Sequence, residues 1–273
     1  MPFADNHGTR IYWDDEGAGV PILLIMGLGY PSAMWHRARP PLSASYLTIA
    51  LDNRGAGQSD VPPGPYSIAL MASDAAAVLD AAGIRSAHVF GVSMGGMIAQ
   101  EFALQYPERV LSLILGCTAA GGPNAKRAEP AAIEMLKART WMSREQAAEA
   151  AVPFIYDTAT PRHSIDEDIS QRHPWPTTPA GYLAQLQAIL AWESFSRLPQ
   201  ITAPTLVIHG KVDRLVPPAN GELIAARIPG AQLVLIERAS HLFSTDQPEA
   251  AEKAVLEFLA SQSMHATAVE KRR

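Results

Sequence analysis

Short apolar runs alternate along this chain with segments whose apolar positions recur every three or four residues. The runs at 21–26, 47–52, 87–90, 110–115 and 204–210 are nearly unbroken and bounded by Gly, Pro or polar residues. Such a pattern predicts strands buried on both faces, as in a parallel sheet covered by helices. Residues 8–14 predict a short N-terminal strand closed by a turn at 17–19, and 232–237 a last strand. Helical spacing of Ile68, Met71, Ala75, Val78 and Leu79 predicts a helix over 67–82, with Gly83 placed to end it. Further helices are predicted after 96, over 220–227 and over 248–260. The polar tail 261–273 reads as frayed. Alternation of this kind specifies an α/β fold with a mostly parallel central sheet flanked by helices.

The rhythm fails once. Between 121 and 198 no strand pattern occurs. Three or four helices are expected there, with Pro174, Pro176 and Pro179 at their joints. The chain therefore divides into a core, 1–121 and 199–273, and an inserted helical lid, 122–198. The length of 273 residues suits one sizeable domain with such an insertion.

Composition narrows the partners. The net charge is -5 and no basic stripe exists, which argues against nucleic acid. No apolar stretch approaches the roughly 20 residues of a membrane span. Residues 1–8 carry no apolar run, so no leader is read, and a cytoplasmic protein is expected. Cys117 is the single cysteine. A disulfide framework or a multi-thiolate metal site within one chain is thereby excluded.

The chemistry centres on Gly91-Val92-Ser93-Met94-Gly95, a G-x-S-x-G pattern between a strand and a helix. A serine at the tip of so tight a turn is pushed out of the sheet at a strained backbone angle. Glycines two positions away let the helix return over the strand. A serine hydroxyl needs an adjacent base and a group that orients that base. Of eight histidines, His241 follows the last predicted strand, at the sheet edge where ligands bind in open α/β folds. His209 and His88 lie in strands and read as structural, and His163 and His173 belong to the lid. Asp213, just past the strand 204–210, is the candidate orienting acid. The order Ser93, Asp213, His241 differs from that of the serine proteases.

With these residues in hand, the chain resembles the α/β-hydrolase superfamily over nearly its whole length. The elbow, the turn Asp52-Asn53-Arg54-Gly55-Ala56-Gly57-Gln58-Ser59, the segment Asp213-Arg214-Leu215-Val216-Pro217 and Ser240-His241 carry the likeness. Within that superfamily, 61–66 and Ser93-Met94-Gly95-Gly96-Met97 are similar to the esterase and enol-lactonase group. The resemblance implies an oxyanion hole made by the main-chain N–H groups of Leu28 and Met94, with Gly27 beside the substrate. Met26 stands where the family usually has histidine, and Arg238-Ala239 where glycines are common. The Gly27-Leu28-Gly29 fragment also mimics a dinucleotide fingerprint, but Ser32 occupies its third glycine position.

The expected activity is cleavage of a small, partly apolar carboxylic ester or lactone through an acyl-enzyme, with no metal or organic cofactor. Trp141, Trp175 and Trp192, in or beside the lid, are candidate substrate-binding residues. Arg139, Arg144, Arg162 and Arg172 are candidate partners for a substrate carboxylate. The same triad supports C–C bond hydrolysis and cofactor-free perhydrolysis. A ligand receptor without turnover is the expectation from outside enzymology.

Overall fold

The computed structural model describes residues 2–175 and 177–270, with side chains up to residue 262. Its strands are β1 (Phe3–Asn6), β2 (Thr9–Glu16), β3 (Val20–Ile25), β4 (Tyr46–Leu51), β5 (Ala87–Val92), β6 (Val110–Gly116), β7 (Thr205–Gly210) and β8 (Gln232–Ile236). They form one sheet in the order β1-β2-β4-β3-β5-β6-β7-β8. From β4 to β8 every pairing is parallel, while β1 and β2 run antiparallel at one edge.

The helices are α1 (Arg39–Ser43), α2 (Ile68–Ala81), α3 (Met94–Gln105), α4 (Pro130–Ala138), α5 (Arg144–Ile155), α6 (Arg162–Arg172), α7 (Pro179–Ala191), α8 (Ala219–Arg227), α9 (Phe243–Asp246) and α10 (Pro248–Glu270). Ser67 caps α2 by accepting from the Leu70 N–H at 3.0 Å. Gly83, at a positive φ of 70°, turns the chain out of that helix.

The two-sided burial of the sheet explains the unbroken apolar runs. Successive side chains of a strand point to opposite faces. Leu23, Ile25, Ile49 and Leu51 pack with α2 and α3, whereas Ile22, Leu24, Ala50 and Phe90 pack on the other face with Trp35 and α10. Each large side chain sealed in this way contributes about 1.5–3 kcal/mol. Residues 122–198 contain α4 to α7 and no strand among the described residues, and α4 to α6 have a small apolar cluster of their own around Met135, Ile155 and Ile165.

Two local features differ from the sequence reading. Strand β1 was not expected; it is four residues long, and only Ala4 and Asn6 face inward, too few positions to set a pattern. Helix α10 continues to Glu270 rather than ending near 260, since no Gly or Pro intervenes. Residues 271–273 of the expected frayed tail lie outside the described residues.

A buried ion pair ties the β4 loop to α2. Arg54 donates from Nε and Nη2 to the two Asp74 oxygens, both at 2.6 Å, and Asn6 Nδ2 adds a third bond at 2.7 Å. Removing one partner of such a pair leaves a buried charge unmet. Asp74→Ala should therefore lower unfolding stability by about 3–5 kcal/mol. Urea melts of the two proteins at neutral pH measure the difference.

Candidate active site

Ser93 lies between β5 and α3 at φ 56°, ψ -122°, a conformation that costs about 1–3 kcal/mol. Its surroundings enforce it. A Cβ on Gly91 would stand 2.1 Å from the Gly95 carbonyl oxygen, and one on Gly95 would stand 2.0 Å from that of Ile25. Neither position accepts a side chain, so α3 can cross close over β3 and β5. The Ser93 N–H donates to Gly116 O at 2.8 Å, and Thr118 Oγ1 donates to Ser93 O at 2.7 Å. The backbone is held and the hydroxyl faces a cavity.

The structure brings Asp213 and His241 together. His241 Nδ1 lies 2.8 Å from Asp213 Oδ2. The other oxygen, Oδ1, accepts from the N–H groups of Leu215 and Val216, each at 2.8 Å. Burial opposes the charge on Asp213, but the His241 and His209 rings overcome it and hold the carboxyl down at about 2. An anion fixed there orients the His241 ring. Ser93 and His241 line the same cavity, and no hydrogen bond joins them among the described residues. Such contacts are often loose before substrate binds.

The proposed oxyanion donors border the same space. Gly27, Leu28 and Met94 all line the cavity with Ser93, and a Cβ on Gly27 would meet Ser93 Cβ at 3.0 Å. Met94 opens α3, so its N–H has no partner within the helix. The loop is braced from two sides. Asn53 Nδ2 donates to Met26 O at 2.8 Å. Gln185 of α7 is fully buried; its Oε1 accepts from Gly29 N and its Nε2 donates to Arg54 O, both at 2.8 Å. Asp52 props the neighbouring turn by accepting from Ser32 N and Gln58 N.

The cavity has a volume of about 770 Å³. Ile133, Leu136, Leu186 and Ile189 line the side under α4 and α7, and Trp35, Leu42, Val255 and Leu256 the side between α1 and α10. None of the three tryptophans expected in its wall is there. Trp141 is 90% exposed. Trp175 is 40% exposed and belongs to a neighbouring cavity. Trp192 is buried in the core, where its Nε1 donates to Glu101 Oε2 at 2.7 Å. The sequence located these side chains in the inserted segment but not their direction, which depends on how each helix end is rotated.

Of the other histidines named from the sequence, His88 and His209 are buried in strands, and His163 and His173 do not line the cavity of Ser93. Burial pushes His88 down to about 4, and its Nδ1 lies 2.7 Å from Ser112 Oγ. His163 is exposed, and His173 lines the neighbouring cavity. Cys117, His209 and Asp213 cluster closely enough to hold a metal. Burial pushes the Cys117 thiol well up, away from the thiolate a metal requires, and both Asp213 oxygens already have partners. This set fits a hydrogen-bonded interior behind His241 better than a metal site.

Sequence reasoning missed Gln185 and Asp246. Asp246 lies in α9, and its carboxylate accepts from Ser240 N at 2.7 Å, Asp157 N at 3.1 Å and Thr160 Oγ1 at 2.5 Å. Leu242 N adds a bond to Ile155 O at 2.8 Å. The loop carrying His241 is thus stitched to the end of α5 and the turn after it. No local spacing signals a contact between residues almost ninety positions apart.

A family model described as the alpha/beta hydrolase fold matches residues 20–159 and 161–248. The RutD protein of Azorhizobium caulinodans, whose name assigns it carbamate hydrolysis, is 34% identical over 94% of this chain and 98% of its own. The 3-oxoadipate enol-lactonase 2 of Acinetobacter baylyi is 31% identical over 84% of each chain. The crystal structure of the enol-lactonase from Burkholderia xenovorans superposes with a TM-score of 0.83 at 28% identity, covering 95% of this chain and all of that one.

Burial pushes the Asp246 carboxyl up to about 6, against the pull of its three donors. Between its unfolded and folded values the folded protein holds a proton that the unfolded chain has released. Stability from this group is fully present below pH 4 and is lost as pH rises through about 6. The loss is about 1–3 kcal/mol, allowing for partial solvent access. Asp246→Asn should remove this slope. Urea midpoints of both proteins from pH 4 to 7 should diverge in that sense, and parallel curves would contradict it.

Proposed function

The chain belongs to the α/β-hydrolase family, and from that premise we propose that it is a serine hydrolase acting on a small carboxylic ester or lactone. The observation that carries the reading is the Asp213–His241 hydrogen bond facing the same cavity as a serine held at a strained elbow. In the proposed cycle His241 Nε2 takes the Ser93 proton as Oγ attacks the substrate carbonyl. The N–H groups of Leu28 and Met94 receive the oxyanion, each donor contributing about 3 kcal/mol. His241 then gives the proton to the leaving alkoxide. Water, activated by the same ring, releases the acyl group and regenerates Ser93. Asp213 stays ionised throughout, because its carboxyl is held far below working pH.

Names among the relatives support an ester-type bond: one is an enol-lactonase and another is a poly(3-hydroxyalkanoate) depolymerase from Ectopseudomonas oleovorans. The apolar cavity supports a substrate with hydrocarbon on at least one side of the carbonyl. The helical segment 122–198 serves as the lid in this reading, with Leu136, Leu186 and Ile189 facing the substrate instead of the tryptophans.

Ser93→Ala should reduce kcat for 4-nitrophenyl butyrate by about 10⁵–10⁶ while the fold is kept. A fluorophosphonate probe should label the native protein at Ser93 and leave the variant unlabelled. Binding of esters with no turnover and no labelling would point instead to a receptor. Ile189→Ala should change the ratio of kcat/KM between octanoate and acetate esters by about 10-fold or more, a side-chain-sized change in apolar contact. Equal effects on both esters would remove Ile189 from the acyl path.

A further inference from the structure

A second cavity, of about 460 Å³, lies beside the catalytic one. Tyr30 and Arg139 stand in the walls of both. Two guanidinium groups converge on that tyrosine. Arg139 Cζ lies 5.7 Å from the Tyr30 ring centre and 5.2 Å from that of Tyr182. Arg172 Cζ lies 4.7 Å from the Tyr30 ring. Arg172 Nη1 donates to Tyr30 Oη at 2.5 Å and Nε to Asp168 O at 3.1 Å, but Nη2 is buried with no hydrogen-bond partner.

The charge balance around these groups is positive. Neither Arg139 nor Arg172 forms a salt bridge among the described residues, whereas Arg37, Arg54, Arg197 and Arg214 each pair with a carboxylate. Arg144 and His173 line the same cavity, and its one acidic side chain is Glu145. Glu145 is exposed and already accepts from Ser143 Oγ at 2.8 Å. The carboxylate of Asp168 is occupied by Arg37, Tyr156 and Thr245. Aromatic rings hold the two cations in place without neutralising them. A buried cationic donor with nothing to bond to is costly, and a planar carboxylate matches its fork.

We propose that this outer cavity is an anion subsite, in which Arg139 and Arg172 take a free carboxylate of the substrate while its ester carbonyl lies at Ser93. The favoured substrate is then a half-ester of a dicarboxylic acid. This rests on the serine-hydrolase reading above. Tyr30 sets the geometry: it fixes Arg172 and carries the wall shared by the two cavities one residue past the Gly27–Gly29 loop.

The test compares the 4-nitrophenyl half-ester of adipic acid with its methyl-capped neutral counterpart. In Arg139→Gln the ratio of kcat/KM, charged over neutral, should fall by about 10–100-fold, the loss appearing mainly in KM for the charged ester. Arg172→Lys should lower the same ratio while keeping the charge, because it loses the fork. Arg10→Gln, on the antiparallel edge of the sheet and paired with Asp60, should leave it unchanged. A thermal melt of Arg172→Lys separates misfolding from lost recognition. An unmoved ratio in Arg139→Gln, with ester hydrolysis intact, overturns the subsite and spares the hydrolase reading. If the native protein hydrolyses neither ester, the hydrolase reading fails, and the substrate role of the subsite fails with it. Calorimetry with adipate on Ser93→Ala separates a free-anion site: adipate binding that Arg139→Gln abolishes, together with an unmoved ratio, assigns the cavity to a free carboxylate and overturns the proposal.

Discussion

The site depends first on how closely α3 crosses the sheet. With Gly91 and Gly95 facing each other, the helix begins immediately after Ser93, and its first turn lies against the carbonyl ends of β3 and β5. A Cβ at either position would fall 2.0–2.1 Å from a backbone carbonyl oxygen, so the helix would have to move off the sheet. Ser93 would then relax from its strained angle, and its hydroxyl would drop from the cavity wall. The same closeness sets Gly27 against Ser93, and Met94, as the first residue of α3, keeps its N–H free of a helical partner. The position of Ser93 and the approach of the Gly27–Gly29 loop are therefore consequences of one packing contact. The parallel sheet does the remaining work, since it delivers the loops after β3, β5, β7 and β8 to one edge.

The helical segment is more deeply involved than an insertion placed over a finished site. Gln185 holds Gly29 from α7, and the end of α5 holds the loop of His241 through Ile155, Asp157 and Thr160. Leu215 and Leu242, each close in sequence to a residue of the Asp213–His241 pair, pack against the apolar cluster of α4 to α6. The loops carrying Asp213 and His241 are thus fastened from above as well as from the sheet below. Changes in this segment that alter substrate choice would also shift the loops they fasten.

What the sequence made legible follows the range of the interactions involved. The parallel strands could be read because both faces are buried, which leaves a signal within six residues. The elbow could be read because its steric demands fall within five. Asp213 and His241 could be read from their positions after strands, since topology then brings them to one edge. The tryptophans could not. Whether Trp141 points outward or Trp192 reaches Glu101 depends on helix rotation and on a partner ninety-one positions away. Gln185 and Asp246 were hidden for the same reason: each is an ordinary polar residue until the fold supplies its donors. Arg139 and Arg172 were visible as charges, but their lack of carboxylate partners is a property of the tertiary structure.

Asp213 and Asp246 show how the site separates two buried carboxylates. Burial disfavours the charge on both. Asp213 faces two imidazole rings, and their attraction takes its carboxyl down to about 2. Asp246 faces only neutral donors and the Asp157 carboxylate, and burial takes it up to about 6. Partner charge, not depth, decides the direction. The group that orients His241 keeps its charge well into acid, down to about pH 2. The group that fastens the His241 loop changes charge near neutrality. Ser240 N and Asp157 N both donate to its Oδ2, and Thr160 Oγ1 donates to Oδ1. Because the fold favours the protonated carboxyl, the stability this group adds is present on the acid side and is lost as pH rises through about 6, without touching the Asp213–His241 bond.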